Sequence, residues 1–311
     1  MMSFISRSSL RYWLGKTLYN IVCNLTAITA RLKAREFQSS QGILRYYIHN
    51  NPGKPMLVFL HGFSGNKELW LNTVWSLRHS HSVLIPDLPG HGESDAPSSS
   101  QYQPEDHASL IEELLQAEGI KTCCLVGSSM GCAVAAALLA ESRARIPAAL
   151  FINPFGVTRE QITAIQHFKA GTTSPFQIES VDDYHEFFSL ISCQPMWIPR
   201  WIKDYLAIEH MRRNDQIAQM FSALKSSEPF LPRLQALQKK QSFSLIVLAG
   251  QQDAVVTTEC FSMLEQELDN CQLYWLDDSG HLPMLETPKV LATAIQCLLP
   301  CSEVKTGLNT D

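Results

Sequence analysis

Short, continuously apolar runs recur along the chain, and segments of helical period separate them. Met56–Leu60, Ser82–Asp87, Thr122–Gly127, Ala148–Ile152, Phe243–Ala249 and Gln272–Leu276 read as strands. A run with no polar face is what a parallel strand needs when both faces are covered. Ile43–His49 reads as a further strand, closed by the Asn50-Asn51-Pro52-Gly53 turn. Helices are expected at about Lys67–Leu77, Pro104–Ala117, Met130–Glu141, Thr258–Leu268 and Pro288–Leu299. The last begins soundly, with Thr287 as N-cap and proline in the first turn. This alternation predicts an α/β fold: a mainly parallel sheet with helices on both faces. No internal repeat is present.

The alternation stops between Asn153 and about Phe230. That stretch lacks clear strands and is rich in aromatic residues, among them Phe155, Phe168, Phe176, Tyr184, Phe187, Phe188, Trp197, Trp201, Tyr205 and Phe221. It reads as a mostly helical insertion between two strands, compatible with a compact subdomain that has a core of its own. The expected division is an N-terminal segment 1–38, a core of 39–153 and 231–300, an insertion 154–230, and a tail 301–311.

The N-terminal segment has its own pattern. Leu14, Leu18, Ile21, Leu25, Ile28 and Leu32 recur at steps of four and three, which puts them on one helical face. Arg7, Arg11, Lys16, Arg31, Lys33 and Arg35 stand against a single acid, Glu36. The longest stretch without charge, Thr17–Ala30, falls short of the about 20 apolar residues that span a bilayer. The leading expectation is a basic amphipathic helix lying on a membrane surface. A helix docked on the body and a cleaved targeting peptide stay open as alternatives.

Composition narrows the classes. A chain of 311 residues can bury a full core, and 45% apolar with 18% charged residues is ordinary for a globular protein. A net charge of -5 gives no reason to expect a nucleic-acid surface. Nine cysteines, an odd number without a CxxC pair, suggest neither a zinc ribbon nor a disulfide framework. A reducing, cytoplasmic setting is expected, peripheral on a membrane, with export or organelle targeting as the alternative. The pattern leaves the oligomeric state open.

Gly127-Ser128-Ser129-Met130-Gly131 fits G-x-S-x-G, directly after a strand and directly before a helix rich in small residues. That context is what a nucleophile elbow needs: the turn strains its central residue, and glycine on either side avoids a clash. A serine hydroxyl needs a base. Of the four histidines downstream, His167, His185 and His210 lie in the insertion, whereas His281 follows the strand Gln272–Leu276. Asp253 follows the strand Phe243–Ala249 and is the expected acid, holding the imidazole tautomer and stabilising the imidazolium. Asp277 and Asp278 are rivals, very close to His281 in the same loop. Two backbone donors are needed for the oxyanion: the N–H of Met130 at a helix start, and that of Phe63 after the first apolar strand. His61 is expected to order that loop rather than act as a base. Pro89-Gly90-His91-Gly92-Glu93-Ser94 reads as a structural turn, since a phosphate-binding G-x-x-x-x-G-K-[ST] is missing.

His61-Gly62-Phe63, Asp87-Leu88-Pro89-Gly90-His91-Gly92, Gly127–Gly131, Gly250–Asp253 and Gly280-His281 together resemble the successive signatures of the α/β-hydrolase superfamily. The likeness spans Ile43 to about Leu299 and is greatest to capped esterases and lipases of the monoacylglycerol lipase type. It implies an α/β-hydrolase fold in which the insertion is a helical cap. It also implies Ser129 as nucleophile, Asp253 and His281 as its partners, and Phe63 and Met130 as the oxyanion hole. A single glycine before Phe63 is the pattern associated with medium and long acyl chains. Cys132 departs from the family pattern, where many relatives have glycine. The expected activity is hydrolysis of lipid-like carboxylic esters, with no metal or organic cofactor. Carbon–carbon bond hydrolysis with the same triad is one alternative. A ligand-binding module on a hydrolase scaffold is another.

Overall fold

The computed structural model describes residues 10–97, 102–164, 176–193, 198–256 and 258–299. His167, Phe168, Trp197 and the tail 301–311 lie outside them. In chain order the elements are α1 (Leu10–Thr29), β1 (Lys33–Ser39), β2 (Gly42–His49), β3 (Met56–Leu60), a 3₁₀ turn (Lys67–Trp70) leading into α2 (Leu71–Leu77), and β4 (Ser82–Pro86). Then come α3 (Pro104–Ala117), β5 (Cys124–Ser128), α4 (Met130–Glu141) and β6 (Ala148–Ile152). The insertion supplies α5 (Arg159–Ala164), α6 (Val181–Ile191), α7 (Arg200–Met211) and α8 (Asn214–Ser226). After it follow α9 (Leu231–Gln238), β7 (Ser244–Gly250), α10 (Glu259–Glu267), β8 (Cys271–Leu276), α11 (Pro283–Glu286) and α12 (Pro288–Leu298).

The eight strands form one sheet in the order β1-β2-β4-β3-β5-β6-β7-β8. The pairs β1–β2 and β2–β4 are antiparallel and the others parallel. Consecutive strand residues serve opposite cores, as the two-residue period demands. Val58, Leu60 and Leu125 face a core closed by α3, α4 and α10, while Leu57, Phe59 and Val126 face one closed by α2 and α12. That double burial explains why these strands read as unbroken apolar runs.

The N-terminal segment differs from expectation in two respects. The helix ends at Thr29, and Lys33–Ser39 is the edge strand of the sheet rather than a continuation of the segment to residue 38. Leu32, counted in the apolar stripe, is buried in the core beneath the sheet. The helix itself is docked. Tyr12, Gly15, Ala27 and, just past its end, Ala30 are buried, and Tyr12 Oη donates to Glu209 Oε1 on α7 at 2.8 Å. Gly15 makes the crossing with α7 possible, since a Cβ there would lie 2.0 Å from the Trp201 carbonyl oxygen. Of the rest of the stripe, Leu18 is half-buried, while Leu14, Ile21, Leu25 and Ile28 are exposed, together with Leu10, Trp13 and Val22. No helix among the described residues is long and apolar enough to cross a membrane.

Candidate active site

The sheet brings its parallel strands to a common C-terminal edge, where ligands of open α/β sheets bind. Ser129 sits there, between the end of β5 and the first residue of α4, at φ 52° and ψ -118°. Its N–H donates to the Ile152 carbonyl at 2.9 Å, which pins the turn to β6. A Cβ on Gly127 would lie 2.7 Å from the Gly131 carbonyl oxygen, so a side chain there would force the elbow open. Cys132 is accommodated fully buried, its thiol pointing to the Ile152 carbonyl oxygen at 3.6 Å.

His281 and Asp253 arrive from loops after β8 and β7. His281 Nδ1 lies 2.8 Å from Asp253 Oδ2, a pairing in which Nδ1 carries the proton and Nε2 is left as acceptor. The other carboxylate oxygen, Asp253 Oδ1, accepts the N–H groups of Val255 at 2.7 Å and Val256 at 3.1 Å. These bonds fix the carboxylate plane and leave Oδ2 for the imidazole. Asp253 is thus a carboxylate hydrogen-bonded to His281. Of the two described histidines of the insertion, His185 faces Asp204 at 3.6 Å, and His210, which lines the same cavity as Ser129, has its Nε2 2.7 Å from the Phe176 carbonyl.

The loop after β3 passes directly over Ser129, for a Cβ on Gly62 would lie 3.1 Å from Ser129 Cβ. His61 anchors that loop. Its Nδ1 meets the Gly62 carbonyl at 2.9 Å, and its Nε2 accepts the Leu88 N–H at 3.0 Å, tying the loop to the turn after β4. Both nitrogens are occupied, and burial lowers the pKa to about 4, so the ring is a neutral strut. Asp87 holds the same turn: it accepts the N–H groups of Lys67 and Glu93 and pairs with Lys67 Nζ at 2.7 Å. Met130, as first residue of α4, has an N–H with no intrahelical acceptor.

Ser129, His281, Gly62 and Phe63 line one cavity of about 120 Å³, roofed by Phe176, Phe187 and other aromatic residues of the insertion. Among the described residues its lining holds no Lys, Arg, Asp or Glu. No group of three or more His, Cys, Asp or Glu able to hold a metal occurs among the described residues.

Two further residues organise the site and were missed by sequence reasoning. Asn153, buried at φ 45°, donates from Nδ2 to the carbonyls of Gly280 (2.9 Å) and His281 (3.1 Å) while its Oδ1 accepts the Gly250 N–H at 2.7 Å. Glu286 accepts the N–H groups of Gly280 (2.9 Å), Leu282 (3.0 Å) and Cys193 (3.1 Å), and the Cys193 thiol at 2.8 Å. It grips the residues on either side of His281 and fastens them to the end of α6. The only sequence signal was an acid placed between Pro283 and Pro288, shortly after the histidine.

Comparison with known proteins follows the same outline. A sequence model of the alpha/beta hydrolase family matches residues 57–294. Lipase 1 of Psychrobacter immobilis is 26% identical over 238 residues, covering 76% of this chain and 74% of that protein. Monoacylglycerol lipase ABHD6 of Homo sapiens is 25% identical over 260 residues, covering 80% and 77%. Among solved structures, a bacterial membrane phospholipase A superposes with a TM-score of 0.82 at 23% identity, covering 92% of this chain and 91% of that one, a likeness that shows the fold.

Proposed function

Because this chain belongs to the alpha/beta hydrolase family, we propose that it is a carboxylic-ester hydrolase that cleaves lipid-like esters through an acyl-enzyme on Ser129. The observation that carries this reading is the 2.8 Å bond between His281 Nδ1 and Asp253 Oδ2, with His281 and Ser129 lining one aromatic cavity. Its lipase and monoacylglycerol lipase relatives support the same chemistry.

In this mechanism His281 Nε2 takes the Ser129 hydroxyl proton as Oγ attacks the ester carbonyl. Asp253 keeps the imidazole in the right tautomer and stabilises the imidazolium. The negative charge formed on the carbonyl oxygen is held by the N–H groups of Phe63 and Met130, the latter aided by the α4 dipole. His281 then gives its proton to the leaving alkoxide oxygen, and the C–O bond breaks. A water molecule, deprotonated by His281 in turn, attacks the acyl-enzyme and releases the acid and Ser129. The lining without charged side chains suits an uncharged acyl group.

We further propose that the enzyme works on a membrane surface, held there by the outer face of α1. That face carries Leu14, Ile21, Leu25 and Ile28 beside exposed Arg11, Arg31 and Lys33, the combination that binds anionic interfaces. The docked-helix alternative is compatible with this reading, because docking uses the opposite side of the helix.

A fluorophosphonate should label Ser129, and kcat/KM for p-nitrophenyl esters should rise over several carbons of acyl length, each buried methylene contributing up to about 0.8 kcal/mol. Failure of labelling, or a profile that peaks at acetate, overturns the assignment.

A further inference from the structure

The cavity at Ser129, about 120 Å³, is smaller than the roughly 300–1,000 Å³ typical of sites that enclose a drug-sized ligand. A second cavity of about 1170 Å³ lies beside it, between α1 and the insertion. The two share six lining residues: Ser64, Gly65, Leu69, Tyr184, Phe188 and His210. These form the boundary between the two cavities. Tyr184 and Phe188 stack with ring centroids 6.3 Å apart, and His210 reaches from α7 to Ser64 Oγ at 3.3 Å.

The walls of the large chamber differ in character. Leu18 and Val22 of α1 face Ile202 and Leu206 of α7. Val22 is also exposed on the outer side of the helix, beside Ile21 and Leu25, so the chamber reaches the face proposed to meet the membrane. The opposite wall is polar and acidic. It presents Glu68 and Glu93, both paired with buried Lys67, and Arg213, the sole Lys or Arg among the described lining residues. The Arg213 guanidinium already donates to the Gly92 carbonyl oxygen at 2.5 Å.

We propose that this chamber is the passage by which a long-chain lipid ester with an uncharged, hydroxyl-bearing head group travels from the membrane surface to Ser129. The apolar wall of α1 and α7 carries the chain. The acidic wall accepts hydroxyl donors and repels phosphate, since Glu68, Asp87 and Glu93 outnumber the one lysine, Lys67, that pairs with all three. The proposal rests on the ester-hydrolase reading only for the destination of the ligand; occupancy of the chamber is measured separately.

Cys23 lines the chamber and reports on it directly. Burial and the nearby Glu68 carboxyl push its thiol up to about 12, so its alkylation is slow and is read as a rate. The wild-type protein is treated with a maleimide, with and without a neutral, unhydrolysable long-chain glycerol ether, and the modified peptides are quantified by mass spectrometry. Exposed Cys297 serves as the internal control. The ether should slow Cys23 by about tenfold relative to Cys297, the scale of a filled apolar pocket, whereas an alkyl phosphate of equal chain length should not. Unchanged Cys23 alkylation at ether concentrations that inhibit short-ester turnover overturns the passage. Equal protection by the alkyl phosphate overturns the preference for an uncharged head. Leu18→Trp and Leu206→Trp, obstructing the chamber from α1 and from α7, should lower the ratio of long-chain to butyrate kcat/KM by about tenfold. A ratio held at the wild-type value in folded variants overturns the proposal. If the wild-type protein turns over no ester while the ether protects Cys23, the ester-hydrolase reading fails and the binding chamber stands.

Discussion

Ser129 holds a backbone conformation with φ 52°, a strain of order 1–3 kcal/mol that the surrounding turn must sustain. Its side chain carries little of the packing, so Ser129→Ala should fold normally while p-nitrophenyl butyrate turnover drops by several orders of magnitude. Asp253→Asn should lower kcat by roughly 10⁴, because the amide cannot stabilise the imidazolium and favours the wrong tautomer. Asp277→Asn and Asp278→Asn should leave kcat near wild type, and damage confined to one of them would move the acid. Glu286→Gln replaces one acceptor oxygen with a donor that faces backbone N–H groups. The His281 loop should loosen, lowering kcat by about tenfold or more with KM little changed, since this carboxylate fixes geometry rather than touching substrate. The gathering of Ser129, Asp253 and His281 at one sheet edge was legible because each lies just past the end of a strand, where local pattern and chain order suffice. Asn153 and Glu286 were not. Their partners are mostly backbone groups, far along the chain for Asn153 and both near and far for Glu286, and backbone groups leave no signature in residue type.

At the scale of elements, α1 has one apolar side docked on the body and another proposed to meet lipid, and each can be broken alone. Gly15→Val would press a branched side chain on the Trp201 carbonyl and should cost about 1–3 kcal/mol, read as a lowered Tm. Leu14→Asp with Ile21→Asp and Leu25→Asp should leave Tm nearly unchanged and abolish binding to anionic vesicles, each exposed side chain giving up about 1.5–3 kcal/mol of burial in lipid. Vesicle binding that survives all three would move the contact to the insertion. These substitutions test the surface better than removal of the segment would, because Tyr12, Ala27, Ala30 and Leu32 belong to the body of the molecule. The helix was visible in the sequence as a single stripe. Its buried side was not, being built from tyrosine, glycine and alanine, which carry little hydropathy signal. The strand β1 escaped for a related reason. Lys33, Arg35 and Glu36 are charged and exposed, as suits a sheet edge that must not pair with another chain. By contrast α3 and α4 match their expected bounds, since capping and small-residue packing mark their ends.

Across the whole molecule, three buried imidazoles, His61, His91 and His107, lie in a row with ring centroids 5.2 and 5.9 Å apart. Burial lowers His107 to about 3. Above its ordinary pKa of about 6.5 both folded and unfolded chains leave it neutral. Between that pH and 3 only the unfolded chain takes up the proton, so its contribution falls by about 1.4 kcal/mol per pH unit as pH drops. Asp87 and Glu68, raised by burial, act in the opposite sense, which is why one histidine must be isolated. His107→Phe should therefore gain on the wild type by about 1.4 kcal/mol per unit from pH 6 to 4 in urea unfolding, and a difference independent of pH would exclude this origin. The contact between Tyr12 and Glu209 also has a consequence in time. Its partners are 197 residues apart, and at a synthesis rate of about 5–20 residues per second the first helix emerges tens of seconds before the one it docks on. Throughout that interval both its sides are bare. On the membrane role proposed for α1, the order of translation lets that helix adsorb to lipid before the hydrolase body has closed.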